Sequence, residues 1–255
     1  MTSPSVHVTV PYFGLDQYLP IIKKERLNLE IYFSSGRFDE IQKSDIVELR
    51  EKFDYKPELT IHSPFMDLSP AAVDPRIREV TFNRYSSILD FAEVLEPKIV
   101  VFHSGYYRWQ YENNINKWLK GSLETWRLLN KRAEEMGVKI AIENIFEDEP
   151  ENLRILAEEM NSENFGLCVD VGHINLFSRI PLQEWLQIVR LFIKELHIHD
   201  NDGSGDDHLP IGEGNVDFDT VFKMSEGLDC VYTIEAHTVK NAQKSLERIG
   251  KYLEK

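Results

Sequence analysis

The sequence predicts a single (β/α)8 barrel spanning residues 1–255, and three observations lead to that prediction. Eight short apolar runs typical of strands alternate with stretches of helical periodicity, which is the pattern of a parallel sheet. A chain of 255 residues has the usual length of one α/β barrel. Six of the eight runs also finish on His, Asp or Glu, and the ends of successive parallel strands converge only if the strands form a ring.

The predicted strands are short, β-branched or aliphatic, and bounded by turn residues or helical segments. In chain order they cover Val6–Val10, Leu27–Phe33, Leu59–His62, Lys98–His103, Lys139–Glu143, Phe165–Val171, Ile193–His199 and Val231–Glu235.

The predicted helices follow from apolar spacing and from residues typical of helix ends. Pro75 suits a first helical turn after Asp74, and Gly137 suits the residue after a helix end. The helices cover Leu15–Lys24, Ser44–Phe53, Pro75–Leu95, Asn116–Met136, a helix starting near Glu149, one opened by Pro181, Asp219–Glu226 and Val239–Leu253.

Composition narrows the classes of protein. With 29 basic and 43 acidic residues the net charge is −14, which repels nucleic acid and anionic membranes at long range. No apolar run approaches the roughly 20 residues of a membrane span, and the segment from Met1 to His7 lacks the pattern of a signal peptide. Cys168 lies inside a strand-like run and Cys230 at the start of another, which predicts reduced thiols in a cytoplasmic protein.

The residues at the strand ends are of the types that bind transition metals. Glu143, Asp170, His197 and Glu235 come from four consecutive strands, and three carboxylates with one imidazole suit Mn²⁺, Zn²⁺, Co²⁺ or Fe²⁺. We expect a second ion at His62 and His103, sharing Glu143, and a third at His173, Asp206 and His208.

Other polar and aromatic residues have more than one interpretation. His7 and Glu30 read as hydrogen-bonded residues of the barrel, whereas His199 and His237 are candidates for substrate contact or for loop support. The loop after strand four is strongly aromatic and contains Tyr106, Tyr107, Trp109 and Tyr111. Three interpretations are open: these rings form a wall of the substrate site, they pack within the loop, or they form a contact in a homo-oligomer.

Several motifs together resemble the xylose isomerase-like TIM-barrel superfamily, which includes sugar phosphate isomerases and epimerases and the endonuclease IV type of apurinic endonuclease. They are Ile61-His62-Ser-Pro, Phe102-His103-Ser-Gly, Ile142-Glu143-Asn144, Cys168-Val-Asp170-Val-Gly-His173, His197-Ile-His-Asp-Asn-Asp-Gly203 and His208-Leu-Pro-Ile-Gly-Glu-Gly214. The resemblance covers nearly the whole chain.

The resemblance implies metal ligands at Glu143, Asp170, His197 and Glu235, with the two glutamates also acting as an acid/base pair. The three-zinc nuclease pattern adds a further set of ligands, all present here, namely His62, His103, His173, Asp206 and His208. His199 is an alternative to His197. We prefer His197 because the His-x-x-Asp pattern then places Asp200 correctly.

We therefore expect a cytoplasmic isomerase or epimerase of a sugar or sugar phosphate, which acts through an enediolate. The enzyme would use one to three divalent ions, and Mn²⁺ and Zn²⁺ are the metals that we expect before others. His173 would orient a substrate hydroxyl, and Tyr106 and Trp109 would cover the sugar. The alternatives are a phosphoester hydrolase of the endonuclease IV type and a non-catalytic ligand-binding barrel. The segment after Glu143, Asn-Ile-Phe-Glu-Asp-Glu, and the acidic net charge argue against the nuclease.

Overall fold

The architecture was taken from a computed structural model, which describes residues 4–253. Eight parallel strands close into a barrel in sequence order, which confirms the predicted fold class. Residues 1–3, on which part of the signal-peptide expectation rests, lie outside the described residues. The strands are β1 Ser5–Pro11, β2 Asn28–Tyr32, β3 Leu59–His62, β4 Ile99–His103, β5 Lys139–Glu143, β6 Phe165–Asp170, β7 Ile193–Ile198 and β8 Val231–Ile234.

Helices surround the barrel and connect its strands. They are α1 Leu19–Glu25, α2 Lys43–Glu51, α3 Pro75–Leu95, α4 Ile115–Met136, α5 Glu151–Met160, α6 Val171–Phe177, α7 Leu182–Val189, α8 Phe218–Ser225 and α9 Val239–Leu253. Short 3₁₀ helices cover Leu15–Gln17, Ser35–Glu40 and Arg190–Phe192. None of the helices within residues 4–253 is long and apolar enough to cross a membrane.

The two faces of the strands bury different side chains, as alternation along a strand requires. Toward the barrel axis, buried polar residues lie beside a small apolar cluster, which is formed by Ile99, Val101, Ala141, Cys168 and Val231. On the outer side, large rings from the helices such as Trp118, Trp126 and Trp185 are fully buried. Both cysteines are free and buried, as the sequence predicted.

One predicted helix and one predicted strand differ in their bounds from the structure for identifiable reasons. The predicted helix Leu15–Lys24 is split into a 3₁₀ turn and α1, because Pro20 has no N–H and its ring clashes with the carbonyl four residues earlier. Strand β6 ends at Asp170 rather than Val171, and α6 follows at once. The Asp170 carboxylate caps α6 by accepting from the His173 N–H at 2.7 Å.

Two helix-end predictions that relied on capping residues were confirmed, whereas the helix predicted to begin at Ser44 begins at Lys43 after the N-cap Gln42. Asp74 Oδ1 accepts from the Arg76 N–H at 2.8 Å at the start of α3. Gly137 follows α4 with a φ of 70°, a left-handed conformation that glycine adopts without steric cost.

Candidate metal centre

The candidate ligands meet at the carboxyl-terminal end of the barrel because the ladder brings the strand ends to one level. His103 is the ladder partner of Glu143, and Asp170 is the ladder partner of His197. Glu235 follows β8 directly, and its backbone N–H donates to the Ile198 carbonyl at 3.2 Å. Strands β3 to β8 therefore deliver their polar ends to one place.

A first group of ligand atoms, called here the first position, surrounds Oε2 of Glu143. His62 Nε2 lies 3.0 Å from this oxygen, and His103 Nε2 lies 3.2 Å from it. His62 Nδ1 lies 3.0 Å from the Ser63 carbonyl oxygen, so Nδ1 carries a proton and Nε2 faces the carboxylate. The Phe65 ring stacks on His103 with centroids 4.0 Å apart. Two imidazole nitrogens and one carboxylate oxygen thus converge.

The second position surrounds Nδ1 of His197. This nitrogen lies 3.5 Å from Glu143 Oε1, 3.5 Å from Glu235 Oε1 and 3.9 Å from Asp170 Oδ2. Atoms that share one tetrahedral ion at about 2.1 Å stand about 3.4 Å apart. Among the described residues, His197 Nδ1 is buried without a hydrogen-bond partner, and a divalent ion would satisfy it. The donor set and its spacing fit a metal.

The third position lies closer to solvent and depends on the loop between β7 and α8. His173 Nε2 is 3.5 Å from Asp206 Oδ2, and His208 Nε2 is 3.3 Å from the same oxygen. His173 Nδ1 lies 2.9 Å from the Asn144 carbonyl oxygen, which aims Nε2 at Asp206. His208 Nδ1 is also 3.7 Å from Glu235 Oε2, so the third position adjoins the second.

Asp200 holds the loop that carries the third position. Its Oδ2 accepts from the backbone N–H groups of Gly212 and Gly214, both at 2.8 Å, and its Oδ1 accepts from the Val216 N–H at 3.0 Å. A β-carbon on Gly214 would stand 2.2 Å from the Asn201 carbonyl oxygen. The fully buried Asp200 carboxylate therefore fixes a turn that only glycine permits at 214.

A buried carboxylate beneath the second position orients His197. Glu30 Oε2 lies 3.2 Å from His197 Nε2, and Thr9 Oγ1 donates to Glu30 Oε1 at 2.9 Å. Because Nε2 is engaged by Glu30, Nδ1 is the ring nitrogen that faces the second position. The sequence suggested only a satisfied polar residue at Glu30; its signal was a carboxylate in the middle of an apolar strand.

His199, for which the sequence left substrate contact, loop support and metal ligation open, lies inside the candidate centre. It is fully buried, and its Nε2 lies 3.0 Å and 3.1 Å from the two Asp170 oxygens. Its ring stacks on His208 with centroids 4.0 Å apart. A β-carbon on Gly172 would lie 2.0 Å from His199 Cε1. His199 thus contacts two candidate ligands and itself belongs to two groups of residues that could hold a metal ion, so the choice of His197 as the ligand stays a prediction.

The other three expected substrate contacts separate into one buried and two exposed residues. Tyr106 is only 8% exposed and packs against Tyr111 and Trp118, with centroids 6.0 Å and 5.3 Å away, so it belongs to the core and not to a substrate wall. Trp109 is 60% exposed at the barrel rim. His237 is exposed and stacks on His208 at 4.5 Å.

In the metal-free centre, protonated imidazoles carry the positive charge that a bound metal ion would otherwise supply. Burial alone lowers the pKa of His62, but the hydrogen bond and charge of Glu143 outweigh it and raise the pKa to about 9. The charge of Asp170 likewise overcomes burial and raises the pKa of His173 to about 10. Burial opposes ionisation of Asp170, yet His173 and His199 bring its pKa down to about 2. A bound cation would displace the imidazole protons and take their place between the ionised carboxylates.

Sequence reasoning missed two buried residues that support the centre. Asn144 Nδ2 donates to the Asp170 carbonyl at 3.0 Å, and its Oδ1 accepts from the Asp170 N–H at 2.9 Å. Its only sequence signal was its place directly after Glu143. Glu195 lies inside the barrel, where it accepts from Thr233 and burial raises its pKa to about 8. A glutamate two residues before His197 was its signal.

Comparison with known proteins found a matching family and proteins that are similar in sequence or in structure. Residues 29–253 match the family model described as xylose isomerase-like TIM barrel. The uncharacterized protein MJ1311 of Methanocaldococcus jannaschii is 34% identical over 82% of this chain and 74% of its own length. A second uncharacterized protein of the same organism, MJ1614, is 32% identical over 74% of this chain and 73% of its own.

Two solved structures share the whole fold. A D-tagatose 3-epimerase-like protein is 28% identical, covers 97% of both chains and has a TM-score of 0.80. The protein TTHB071 of Thermus thermophilus, whose crystals were soaked with ZnCl₂, is 26% identical, covers 98% of both chains and has a TM-score of 0.82. On the match of its family model and of its curated relatives, the chain belongs to the xylose isomerase-like TIM-barrel family.

Proposed function

We propose that the chain is a divalent-metal-dependent isomerase or epimerase of a sugar or sugar phosphate. The observation that carries the proposal is the second position, where three carboxylates surround an unpartnered imidazole nitrogen at 3.5 Å to 3.9 Å. The name of the D-tagatose 3-epimerase-like relative supports the same chemistry. Mixed imidazole and carboxylate donors favour Mn²⁺ or Zn²⁺.

The chemistry needs proton transfer next to a carbonyl. A bound divalent ion would polarise adjacent carbonyl and hydroxyl oxygens of the sugar and stabilise the charge of an enediolate. Glu143 and Glu235 are the two glutamates nearest to His197 Nδ1, and we assign them the removal and the return of the proton. His173 keeps Nδ1 engaged with Asn144 and presents Nε2 toward the centre, where it would orient a substrate hydroxyl.

Hydrolysis of a phosphoester is the second candidate, and a specific observation favours it. The third position, formed by His173, Asp206 and His208, supplies ligands that an enediolate reaction with one ion does not need. Clustered ions activate water and hold a leaving oxygen in phosphoester hydrolysis. One ion per chain in the active protein would favour isomerisation, and three would favour hydrolysis.

Isotope incorporation distinguishes the two reactions directly. The protein loaded with Mn²⁺ or Zn²⁺ is incubated in D₂O with ketoses and ketose phosphates, and the products are followed by NMR. We expect solvent deuterium on the carbon next to the carbonyl and an epimeric or isomeric product. Release of phosphate that carries ¹⁸O from labelled water, without deuterium in any sugar, would replace the proposal by the hydrolase. Tight sugar binding without turnover would favour the non-catalytic barrel.

Glu235→Gln in the same metal-loaded form is the matched control. It retains an oxygen that can contact the ion but cannot take up a proton at neutral pH. We expect deuterium incorporation to fall by a factor on the order of 10² or more, with the metal content retained. Unchanged incorporation would remove Glu235 from the proposed proton-transfer pair.

A further inference from the structure

A cavity of about 510 Å³ opens at the rim of the barrel beside the candidate centre. We call it the rim cavity. Its walls come from the loops after β4 and β5 and from the end of α6 and the residues beyond, and they consist of Tyr107, Arg108, Trp109, Phe146, Asp148, Phe177 and Arg179. Its volume lies in the usual range of small-molecule sites, about 300–1,000 Å³.

The rim cavity holds every strongly exposed Phe, Tyr or Trp within residues 4–253. Tyr107 is 47% exposed, Trp109 60%, Phe146 51% and Phe177 37%. The rings touch edge to face, with centroids 5.8 Å apart between Tyr107 and Phe146 and 5.1 Å between Phe146 and Phe177. Exposed aromatic area gathered at one place marks a binding surface, because it would otherwise be buried.

Charged groups set the polarity of the rim cavity. Asp148 accepts from Arg108, and its Oδ2 lies 3.1 Å from Arg179 Nε. Two guanidinium groups thus face one carboxylate, which leaves N–H donors for a ligand. Arg108 also stands over the Trp109 ring, 4.6 Å from its centroid, which restrains that ring. The walls are therefore aromatic faces flanked by hydrogen-bond donors.

The rim cavity adjoins the candidate centre through α6. The Phe177 ring centroid lies 6.4 Å from that of His173, and both residues belong to this helix. Phe146 follows two residues after Asn144, whose carbonyl contacts His173 Nδ1. The aromatic walls of the rim cavity thus begin next to His173, a residue of the third position.

We propose that the rim cavity binds a second sugar ring, so that the substrate is a glycoside or oligosaccharide whose reacting unit lies at the metal centre. The proposal rests on the proposed function and specifies its substrate class. The C–H face of a pyranose covers an aromatic ring, and its hydroxyls accept from Arg108 and Arg179. Nucleic acid fits less well, because the rim cavity has only two cationic side chains, Asp148 offsets part of their charge, and the net charge of the chain is −14.

The test compares ketose disaccharides with a ketose monosaccharide. Lactulose, turanose and isomaltulose each carry a second pyranose on a fructose unit, and fructose is the reference. Binding to the metal-loaded protein is measured by calorimetry. We expect at least one disaccharide to bind about tenfold more tightly than fructose. We expect Trp109→Ala and Phe177→Ala to remove this advantage, and Phe177→Ala to leave fructose binding unchanged.

Leu191→Ala is the control, since Leu191 is 82% exposed and does not line the rim cavity. It should alter neither affinity. Equal binding of fructose and all three disaccharides, or an advantage that survives both rim variants, would overturn the proposal. So would tight binding of a single-stranded oligonucleotide that Trp109→Ala abolishes, or a dimer that Trp109→Ala converts to a monomer.

The outcomes also separate this proposal from the proposed function. Deuterium incorporation into fructose without any preference for disaccharides would keep the isomerase and reject the second-ring site. A preference that Trp109→Ala abolishes, without deuterium incorporation into any sugar, would keep the second-ring site and reject the isomerase.

Discussion

The two sides of the candidate centre are built in different ways. At the first and second positions the ligands come from strand ends, and the side chains of Glu143 and His197 are 2% and 0% exposed. At the third position the ligands Asp206 and His208 lie on a loop, and the Asp206 side chain is 43% exposed. His208 has a φ of 46°, in the left-handed region that non-glycine residues seldom adopt.

This difference shows which part of the centre is organised before an ion binds. The ladder and the buried Glu30 fix the strand-borne ligands in the metal-free protein. The loop-borne ligands depend on the hydrogen bonds of Asp200 to Gly212 and Gly214. We therefore expect the strand-borne positions to bind ions more tightly than the loop-borne position, and four predictions test that comparison.

The largest effect is expected from Glu143→Gln, because Glu143 belongs to both strand-borne positions through its two oxygens. Turnover should fall by a factor on the order of 10² or more, and elemental analysis should find fewer ions at the first and second positions. Glu235→Gln should match the loss of turnover and keep more metal. Full metal content in Glu143→Gln would show that the first and second positions do not share Glu143 as a ligand.

A smaller loss is expected from Glu30→Gln, which removes the charge that orients His197. Metal affinity at the second position should fall by about 10- to 100-fold, the usual range for the partner of a ligating histidine. Competition with a chromophoric chelator measures it. Glu195→Gln is the control, since Glu195 contacts Thr60 and Thr233. If both variants weaken binding equally, the effect is one of general packing.

A still smaller effect is expected from His208→Ala. It should remove the loop-borne ion alone, and the ions at the first and second positions should remain. The measurement is the metal stoichiometry after dialysis against a weak chelator. His237→Ala is the control, because His237 stacks on His208 and lies outside all three positions. Loss of every ion from His208→Ala would contradict the division into strand-borne and loop-borne parts.

The smallest effect concerns pH. The pKa of His62 is raised from 6.5 to about 9 in the metal-free fold, so the folded state holds that proton more tightly than the unfolded chain. Its contribution to the free energy of unfolding is complete below pH 6.5 and disappears as the pH rises through 9. The Tm of metal-free protein should fall over that window. His62→Asn should reduce the slope, and a Tm that rises instead would contradict the assignment.

The sequence predicted the strand-borne side better than the rest, and the reason is physical. Alternation along parallel strands places His103, Glu143 and Asp170 at one end of the barrel before any contact is known. Glu30 and His197 are 167 residues apart, and no local pattern indicates their contact. Tyr106 was expected at the substrate wall because nothing in an aromatic loop shows which ring turns inward.

The close approach of Gly172 to His199 also restricts which amino-acid substitutions the two positions can accept during evolution. Any side chain at 172 collides with the imidazole at 199, since a β-carbon would lie 2.0 Å from its Cε1. A smaller residue at 199 relieves the collision, so we expect substitutions at 199 to precede substitutions at 172. Related sequences should therefore rarely combine a bulky residue at the first of these sites with an imidazole at the second.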